Sequence, residues 1–252
     1  MNSNDLRLER EREFHKNRYD GAGDPRAALN RWYWAVDDVF RAHEAMLKAL
    51  APGRDVLELG VADGSFSVLE SGVAALPRRF VGIDVSDGAV AHARARAAAL
   101  GMARARFEVR DAESTGLEDA GFDLVFGRGI LHHLRLDSAY REVARLLRPG
   151  GTGLFVEPMG HNPALNWYRH RTPDLRTSDE HPLLMADLAL ARRHFAQVHV
   201  RHSGLTTLAA VPLRHSVLGE PLMKTLRGLD RLLFTVPLLR RQAWFVLVTL
   251  RR

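Results

Sequence analysis

The stretch VLELGVADG at residues 56–64 decides the fold of this chain, because a short apolar run passes directly into a glycine-containing turn. Gly60, Ala62 and Gly64 are spaced two residues apart in that turn. Glycine permits a tight turn and a close backbone approach to a ligand, and a helix that starts there offers unpaired N–H groups. The stretch therefore predicts a buried strand, a ligand-binding turn and the start of a helix, in that order.

Further short apolar runs follow this turn and alternate with segments of helical pattern. Helices are predicted over residues 64–76, 87–100 and 137–147, which end near a proline or a glycine. This alternation predicts an α/β fold in which helices cover both faces of a parallel sheet. The strands are predicted at residues 56–59, 80–85, 106–110, 122–126, 152–157, 197–202 and 243–250.

The chain is expected to form a helical N-terminal cap and one larger domain. The cap is predicted over residues 1–50, because helical segments there end before Pro52 and Gly53. The domain is predicted over residues 51–252, and its loop 158–182 and insert 204–241 would form a lid over one edge of the sheet. The predicted helices outside the β/α alternation cover residues 5–19, 26–50, 183–194 and 220–233.

The composition is that of an ordinary globular protein and excludes several classes. Of the 252 residues, 46% are hydrophobic and 26% are charged, so a disordered chain is excluded. The chain has no cysteine, which excludes disulfides, thiolate metal sites and a cysteine nucleophile. Its charged start and the lack of an uncharged apolar run of ~18 residues predict a soluble, cytoplasmic protein without a secretory signal.

The formal net charge of +6 is concentrated near the C-terminal end. Residues 203–252 carry 8 basic and 2 acidic side chains, whereas the first 150 residues carry 22 and 23. This local excess fits an anionic substrate or a membrane surface better than nucleic acid, which would need a broad basic footprint. The predicted helix 220–233 has an apolar and a basic face, so it either packs as a lid on its own domain or makes a peripheral membrane contact.

Two further strand ends carry acidic residues. FVGIDVS at residues 80–86 puts Asp84 at the end of its predicted strand, 20 residues after Gly64. A carboxylate there can bind the two hydroxyls of a nucleotide ribose, although Asp84 alone could equally cap the following helix. The third strand ends at Asp111 and Ala112. Together with the glycine turn, the two acidic strand ends favour a nucleotide site.

With these strand ends, the chain resembles the class I S-adenosylmethionine-dependent methyltransferases of the small-molecule type. VLELGVADG is similar to the family's first motif, GIDVS to its second, and RDAE at 110–113 to its adenine-contacting segment. FDLVFGRGILHHL at 122–134 and LLRPGG at 146–151 resemble its later signatures. The resemblance covers about residues 50–157 and implies a Rossmann-like, doubly wound, mostly parallel seven-stranded sheet. It departs at Ala62, where the family usually has glycine.

The resemblance implies S-adenosyl-L-methionine as the cofactor and S-adenosyl-L-homocysteine as its product. Glu58 would hold the methionine amino end through its backbone or a water molecule. Asp84 would bind the ribose hydroxyls, and Asp111 would accept from the adenine amino group. A dinucleotide oxidoreductase is disfavoured, because the chain lacks G-x-G-x-x-G after its first strand. The full set implied around the cofactor is Glu58, Gly60, Ala62, Gly64, Asp84, Val85, Asp111, Ala112, Gly127 and Arg128.

The acceptor of the methyl group is expected beyond the C-terminal ends of the strands, next to the cofactor. Methyl transfer from a sulfonium is an in-line displacement, in which proximity and orientation can supply most of the acceleration. A general base is needed only for an acceptor such as a hydroxyl, a protonated amine or an acidic carbon. The candidate catalytic residues are His133, His161 and Glu157, and the candidate acceptor-binding residues are Tyr33, His132, Asp179 and His181.

These acceptor-side residues also have structural alternatives. Asp179 could cap the helix predicted near Pro182, and His161 could shape a proline turn. Either histidine of the pair 132–133 could be structural. No metal is expected, because the spacing of histidine and acidic residues matches no compact metal site.

The aromatic N-terminal helix and the insert 204–241 predict a hydrophobic or aromatic small-molecule acceptor. An RNA or protein methyltransferase, or a non-catalytic nucleotide-binding relative, is the alternative. The sequence leaves open which atom is methylated (O, N or C) and whether the chain forms a homodimer.

Overall fold

The computed structural model describes residues 30–173 and 180–252. The predicted helix over 5–19 and the candidate residue Asp179 lie outside these ranges. Among the described helices, none has the length and apolar character that crossing a bilayer requires.

A seven-stranded sheet lies at the centre of the described residues. The strands are β1 Asp55–Leu59, β2 Arg79–Asp84, β3 Ala105–Val109, β4 Phe122–Arg128, β5 Leu147–Pro158, β6 Gln197–Ser203 and β7 Phe245–Arg251. Their order is β3-β2-β1-β4-β5-β7-β6, with β7 antiparallel to both of its neighbours and the other pairs parallel. All residues of β1 are buried, as expected for a central parallel strand that is covered on both faces. The predicted fold class is confirmed.

The helices of the described residues begin at recognisable caps in two cases. Oγ of Ser86 accepts the N–H of Ala89 at 3.3 Å at the start of the helix Asp87–Ala99. The side chain of Asn162 accepts the N–H groups of Ala164 and Leu165 at the start of the helix Pro163–Arg171. The α-helices are α1 Asn30–Tyr33, α2 Asp37–Leu50, α3 Asp87–Ala99, α4 Leu136–Leu146, α5 Pro163–Arg171, α6 Met185–Leu190, α7 Gly219–Leu233 and α8 Pro237–Arg240. Short 3₁₀ turns cover Trp34–Val36, Val73–Ala75, Leu131–His133, Ala191–Arg193 and Thr207–Leu213.

The structure differs from several predicted elements. The segment 158–182, predicted as a loop, contains helix α5, which Asn162 caps. The predicted helix 64–76 is a π-helical turn at Ser65–Glu70 followed by a 3₁₀ turn, because Gly72 adopts a φ of +64° and interrupts it. Strand β5 begins at Leu147, before the predicted start at residue 152, because Leu147 already pairs with Phe122 of β4.

Apolar side chains from the helices cover both faces of the sheet. On one face, Tyr140 and Val143 of α4 are fully buried in the core. On the other face, Leu47 of α2 and Ala93 of α3 are fully buried. Helix α2 of the predicted cap therefore packs directly on the sheet and contributes to its core.

Helix α7 anchors the insert between β6 and β7 to the rest of the protein. The buried carboxylate of Asp230 accepts N–H groups of the chain just after β6, and Arg227 forms an ion pair with Asp37 of α2. Met223 is fully buried, whereas Leu229 of the predicted apolar face is 41% exposed. The helix therefore packs on its own domain through a mixed polar and apolar face.

Candidate active site

Several strand ends meet at one edge of the sheet because their register is aligned. Leu59 at the end of β1 pairs with Ile83 of β2 and with Gly127 of β4. Asp84 pairs with Val109 of β3. The residues that follow these pairs therefore lie side by side at this edge, and they include Gly60, Asp111 and Arg128, the last residue of β4.

The turn after β1 contains three residues with positive φ: Gly60 at 68°, Ala62 at 51° and Gly64 at 76°. A Cβ on Gly60 would lie 2.9 Å from Cδ1 of Ile130, so glycine is required there unless Ile130 moves. Alanine in this conformation costs roughly 1–2 kcal/mol. The N–H of Ala62 donates to Oδ2 of Asp84 at 2.9 Å, which holds the turn despite this strain. The departure from glycine at position 62 therefore leaves the turn intact.

The carboxylate of Asp84 joins the first two strand ends and keeps capacity for a ligand. In addition to the bond from Ala62, its Oδ1 accepts the N–H of Ser86 at 3.0 Å. An ionised carboxylate offers about four acceptor positions, so about two remain. Ser86, and not Asp84, supplies the side-chain cap of helix α3. The capping alternative for Asp84 is therefore wrong.

The end of β3 places a second acidic residue at the same edge. Oδ1 of Asp111 accepts the N–H of Glu113 at 2.9 Å. Ala112 is buried in the core, and Val85 is half-buried beside Asp84. These placements agree with the positions predicted to contact adenine, and the contacts themselves stay a prediction.

A buried carboxylate lies directly before the turn. Glu58 is 3% exposed, and its Oε2 has no hydrogen-bond partner among the described residues. Burial raises the pKa of Glu58 to about 8. The nearby hydroxyl of Ser67 and then the charge of Arg128 oppose this rise, and Asp84 adds to it. An unsatisfied buried acceptor costs about 1–3 kcal/mol. This oxygen therefore fits a ligand that brings a donor or a positive charge.

A largely buried cation lies at the end of β4. The guanidinium carbon of Arg128 is 3.9 Å from the ring centre of Phe66 and 4.9 Å from that of Phe40. Burial lowers the pKa of Arg128, while nearby glutamates, Glu70 and Glu58 among them, favour its charged form. Glu58 and Arg128 thus offer a carboxyl group and a guanidinium, which can bind the ammonium and the carboxylate of an amino acid when Glu58 is ionised.

Ile130 fills the space between the turn and the end of β4. A Cβ on Gly127 would lie 2.5 Å from Cγ2 of Ile130 and 3.0 Å from the carbonyl oxygen of Leu59. Gly60 and Gly127 therefore both face the side chain of Ile130. Ile130 was not predicted from the sequence, because a single apolar residue does not indicate a role in a ligand site.

On the other side of this edge, Glu157 organises the turn that follows β4. Its carboxylate is fully buried and accepts the N–H groups of Ile130 and Leu131, each at 2.9 Å. Its Oε2 also lies 2.7 Å from Nδ1 of His132. A carboxylate accepts hydrogen bonds, so in the neutral ring of His132 the proton lies on Nδ1 and the lone pair on Nε2. Glu157 therefore positions His132, and its catalytic role stays a prediction.

The histidine pair after β4 lies against a second segment of the chain. The rings of His132 and His133 are 4.2 Å apart, and both side chains are buried. The N–H of His181 donates to the carbonyl of His132 at 2.7 Å, which brings segment 180–183 to the pair. One potential metal-ligand atom from each of His132, His133 and Glu180 lies within 4.8 Å of the others. Spacing along the chain did not indicate this compact group, because a backbone contact assembles it.

Two other candidate histidines bind the start of helix α6. Nε2 of His161 accepts the N–H of Met185 at 2.9 Å, and Nε2 of His181 lies 3.0 Å from Oδ2 of Asp187. Burial lowers the pKa of His161, and the charge of Arg241 adds a smaller effect in the same direction. The catalytic role of His161 and the acceptor-binding role of His181 stay predictions.

Tyr33 belongs to an aromatic cluster next to Arg128. Its ring stacks on Trp244 at 5.6 Å and meets Phe40 and Phe245 at 5.9 Å each. Phe40 in turn lies under the guanidinium of Arg128. We call these four rings (Tyr33, Phe40, Trp244 and Phe245) the aromatic wall. The sequence analysis named Tyr33 but missed Trp244 and Phe245, which are far away along the chain.

Comparisons with known proteins identify a domain within the chain. Residues 56–151 match the methyltransferase domain family. The chain is 36% identical over 132 residues to a protein of Mycolicibacterium smegmatis named a probable S-adenosylmethionine-dependent methyltransferase. That match covers 50% of this chain and 46% of the relative. The chain thus spans about half the length of the curated relatives it matches.

Solved structures with low sequence identity share the fold. Geranyl diphosphate C-methyltransferase from Streptomyces coelicolor, solved with Mg²⁺, geranyl diphosphate and S-adenosyl-L-homocysteine, has a TM-score of 0.64 at 15% identity and 98% coverage of both chains. A phosphoethanolamine N-methyltransferase of Haemonchus contortus, solved with S-adenosyl-L-methionine, has a TM-score of 0.62 at 18% identity. The match covers 96% of this chain and 59% of that one. The names of these two proteins show that the fold accommodates different acceptors.

Proposed function

Residues 56–151 are a class I S-adenosylmethionine-dependent methyltransferase domain, and we propose that the protein transfers a methyl group from S-adenosylmethionine to a small molecule. The family identified from the sequence motifs is confirmed for these residues. The observation that carries the proposed activity is the buried, unpartnered Oε2 of Glu58 beside the turn. We further propose that the acceptor has a hydrophobic or aromatic frame.

The residues at the strand ends fit the chemical groups of this cofactor. Oε2 of Glu58 would accept a hydrogen bond from the methionine ammonium, and Arg128 would bind the methionine carboxylate. The unused acceptor positions of Asp84 suit the two ribose hydroxyls. Asp111 and Ala112 are placed for the adenine edge.

The chemistry of the reaction depends on alignment more than on proton transfer. The bound cofactor would supply a methyl group on a positively charged sulfur. Ile130, packed on Gly60 and Gly127, would exclude water from the space beside the turn. Holding the acceptor in line with the methyl group can contribute on the order of 7–11 kcal/mol to catalysis.

For an acceptor that must lose a proton, His133 is our candidate general base. It contacts His132, whose orientation Glu157 fixes. His161 is the other candidate base, and its Nε2 accepts the N–H of Met185.

The aromatic wall supports the proposed kind of acceptor. Phe40 lies under the guanidinium of Arg128, and Phe245 lies where β7 meets the end of β5, since it pairs with Pro158. Flat apolar side chains of this type favour aromatic or prenyl groups over strongly polar ones.

The activity is tested by incubating the purified protein with isotopically labelled S-adenosylmethionine and an extract of small molecules, followed by mass spectrometry. We expect at least one labelled small-molecule product, and we expect Glu58→Gln to lose it. Asp87→Asn, which changes an exposed carboxylate in the first turn of α3, is the control and should retain it. Absence of any labelled product, or equal yield from Glu58→Gln, contradicts the proposed activity.

A panel of acceptors tests the substrate class separately. The panel contains aromatic hydroxyl compounds, prenyl compounds, polar amines and RNA, and the wild-type protein is compared with Tyr33→Ala. We expect methylation of the apolar compounds and a clear loss of it in Tyr33→Ala. Methylation of only the polar amines or only the RNA would reject the apolar acceptor.

A further inference from the structure

We propose that His132, His133 and Glu180 form a binding site for a divalent transition-metal ion of the Zn²⁺ type. Their potential ligand atoms lie within 4.8 Å of one another. His132 is 6% and His133 9% exposed, and Glu180 is half-buried. Two imidazoles and one carboxylate are a ligand set for zinc or iron that leaves further coordination positions open.

The orientation of His132 supports metal binding independently of the cluster. Oε2 of Glu157 lies 2.7 Å from its Nδ1, so the lone pair is on Nε2. A carboxylate behind the ring is the usual arrangement for a histidine that binds a metal through its other nitrogen. Glu157 is itself fixed by the N–H groups of Ile130 and Leu131.

The backbone holds Glu180 against the histidine pair. The N–H of His181 donates to the carbonyl of His132 at 2.7 Å. The N–H of Leu183 donates to the carbonyl of Pro158 at 2.9 Å, and the N–H of Gly160 donates to the carbonyl of Leu183 at 2.9 Å. Segment 180–183 is therefore attached both to the turn after β4 and to the end of β5, which fixes the third ligand next to the first two.

The ligand chemistry selects the class of metal. Mg²⁺ and Ca²⁺ prefer oxygen ligands, whereas imidazole nitrogen favours zinc and other first-row transition metals. The carboxylates of Glu180 and Glu157 bring two negative charges, which one divalent cation would balance.

A metal ion bound by His132, His133 and Glu180 would also restrict the class of methyl acceptor. This statement about the acceptor rests on the proposed function. Its open positions would bind an oxygen of the acceptor, such as a hydroxyl group. A metal-bound hydroxyl loses its proton more readily, as metal-bound water does, so the ion would take the place of His133 in promoting the loss of that proton. The apolar acceptor would then carry an oxygen donor beside the atom to be methylated.

The site is tested with untagged full-length protein that has been freed of metal by a chelator and titrated with Co²⁺. We expect about one Co²⁺ per chain, with visible absorption bands typical of a low-coordinate ion, and displacement by Zn²⁺ but not by Mg²⁺. Glu180→Gln and His133→Gln should each weaken Co²⁺ binding at least tenfold. His181→Gln, which removes the neighbouring histidine outside the cluster, should not.

Glu157→Gln gives an additional check, because loss of a carboxylate behind a metal-binding histidine weakens metal affinity by about 10–100-fold. Circular dichroism of every variant shows whether the fold is retained, and Glu180→Gln alters a half-buried side chain that should not disturb it. No stoichiometric uptake of Co²⁺ or Zn²⁺ by the wild type, or uptake unchanged in Glu180→Gln and His133→Gln, overturns the proposal. Metal binding is measured without methyl transfer, so a result that rejects the metal site is distinguishable from one that rejects the proposed function.

Discussion

The cofactor side and the acceptor side of the candidate active site are built differently. On the cofactor side, Asp84 and Asp111 lie at or just after strand ends, and Oε2 of Glu58 in β1 has no hydrogen-bond partner among the described residues. On the acceptor side, the pair 132–133, Glu157 and segment 180–183 come from separate parts of the chain and bond to one another. The cofactor side therefore keeps hydrogen-bond acceptors for a ligand, whereas Glu157 and the turn after β4 on the acceptor side are already joined by internal hydrogen bonds.

The largest expected effect is on the acceptor side and concerns stability. Glu157→Ala removes a buried carboxylate and leaves the N–H groups of Ile130 and Leu131 and Nδ1 of His132 without their acceptor. We expect a loss of about 3–5 kcal/mol in the free energy of unfolding, measured by denaturant titration.

The matched control for this substitution is Glu118→Ala, which removes an exposed partner of Arg79. Its effect should be within about 1 kcal/mol, because exposed ion pairs contribute little. Similar small losses for Glu157→Ala and Glu118→Ala would show that the acceptor side does not stabilise itself in this way.

The next effect is on the cofactor side and concerns binding. Asp84→Ala removes the carboxylate proposed to bind ribose, and we expect S-adenosylhomocysteine to bind about 10–100-fold more weakly in calorimetry. Asp87→Ala, an exposed carboxylate nearby, should leave the affinity unchanged. Equal affinities for wild type and Asp84→Ala would contradict the assignment of the ribose site.

A third effect concerns the pH dependence of binding. Burial raises the pKa of Glu58 to about 8, so Glu58 of the free protein is mostly protonated below that pH. The ammonium group of the ligand binds the ionised carboxylate, so Glu58 must lose its proton when the ligand binds. Affinity for S-adenosylhomocysteine should therefore fall by up to about tenfold for each pH unit below 8, with proton release on binding. Glu58→Gln should abolish both the pH dependence and the proton release in calorimetry with buffers of different ionisation enthalpy. A wild-type affinity that does not change between pH 6 and 8 would disprove this role.

The smallest effect concerns strain in the turn. Ala62 and Ala120 are both non-glycine residues with positive φ among the described residues, but only Ala62 is in the site. Ala62→Gly and Ala120→Gly should each raise the free energy of unfolding by about 0.5–1 kcal/mol, since glycine relieves a left-handed conformation. Only Ala62→Gly should alter cofactor affinity. An identical affinity in all three proteins would show that the cofactor does not sense this turn.

The cofactor side could be predicted from the sequence because its residues adjoin strand ends. A strand is recognisable from a short apolar run, and parallel strands bring their C-terminal ends to one edge, so Asp84 and Asp111 could be placed without a structure. The strand bounds themselves were predicted to within a few residues, except where LRPGG extends β5. The positive φ of Ala62 was not foreseen, because it depends on the hydrogen bond to Asp84.

The acceptor side could be predicted only in part. The sequence indicated His132, His133 and Glu157 as polar residues after strands, but not that Glu157 would be buried behind His132. Contacts between separate segments decide which residues touch, and those contacts leave no periodic pattern in the sequence. The position of Ile130 and the rings that join Tyr33 in the aromatic wall were missed for the same reason.

We propose that the cofactor's amino acid end binds between Glu58 and Arg128. A crystal structure of the S-adenosylhomocysteine complex would show the position of that end directly. We predict the ligand's amino nitrogen within about 3.2 Å of Oε2 of Glu58, and its ribose hydroxyls at hydrogen-bond distance from Asp84. A complex in which the ligand lies elsewhere, with Oε2 of Glu58 still unpartnered, would contradict the account.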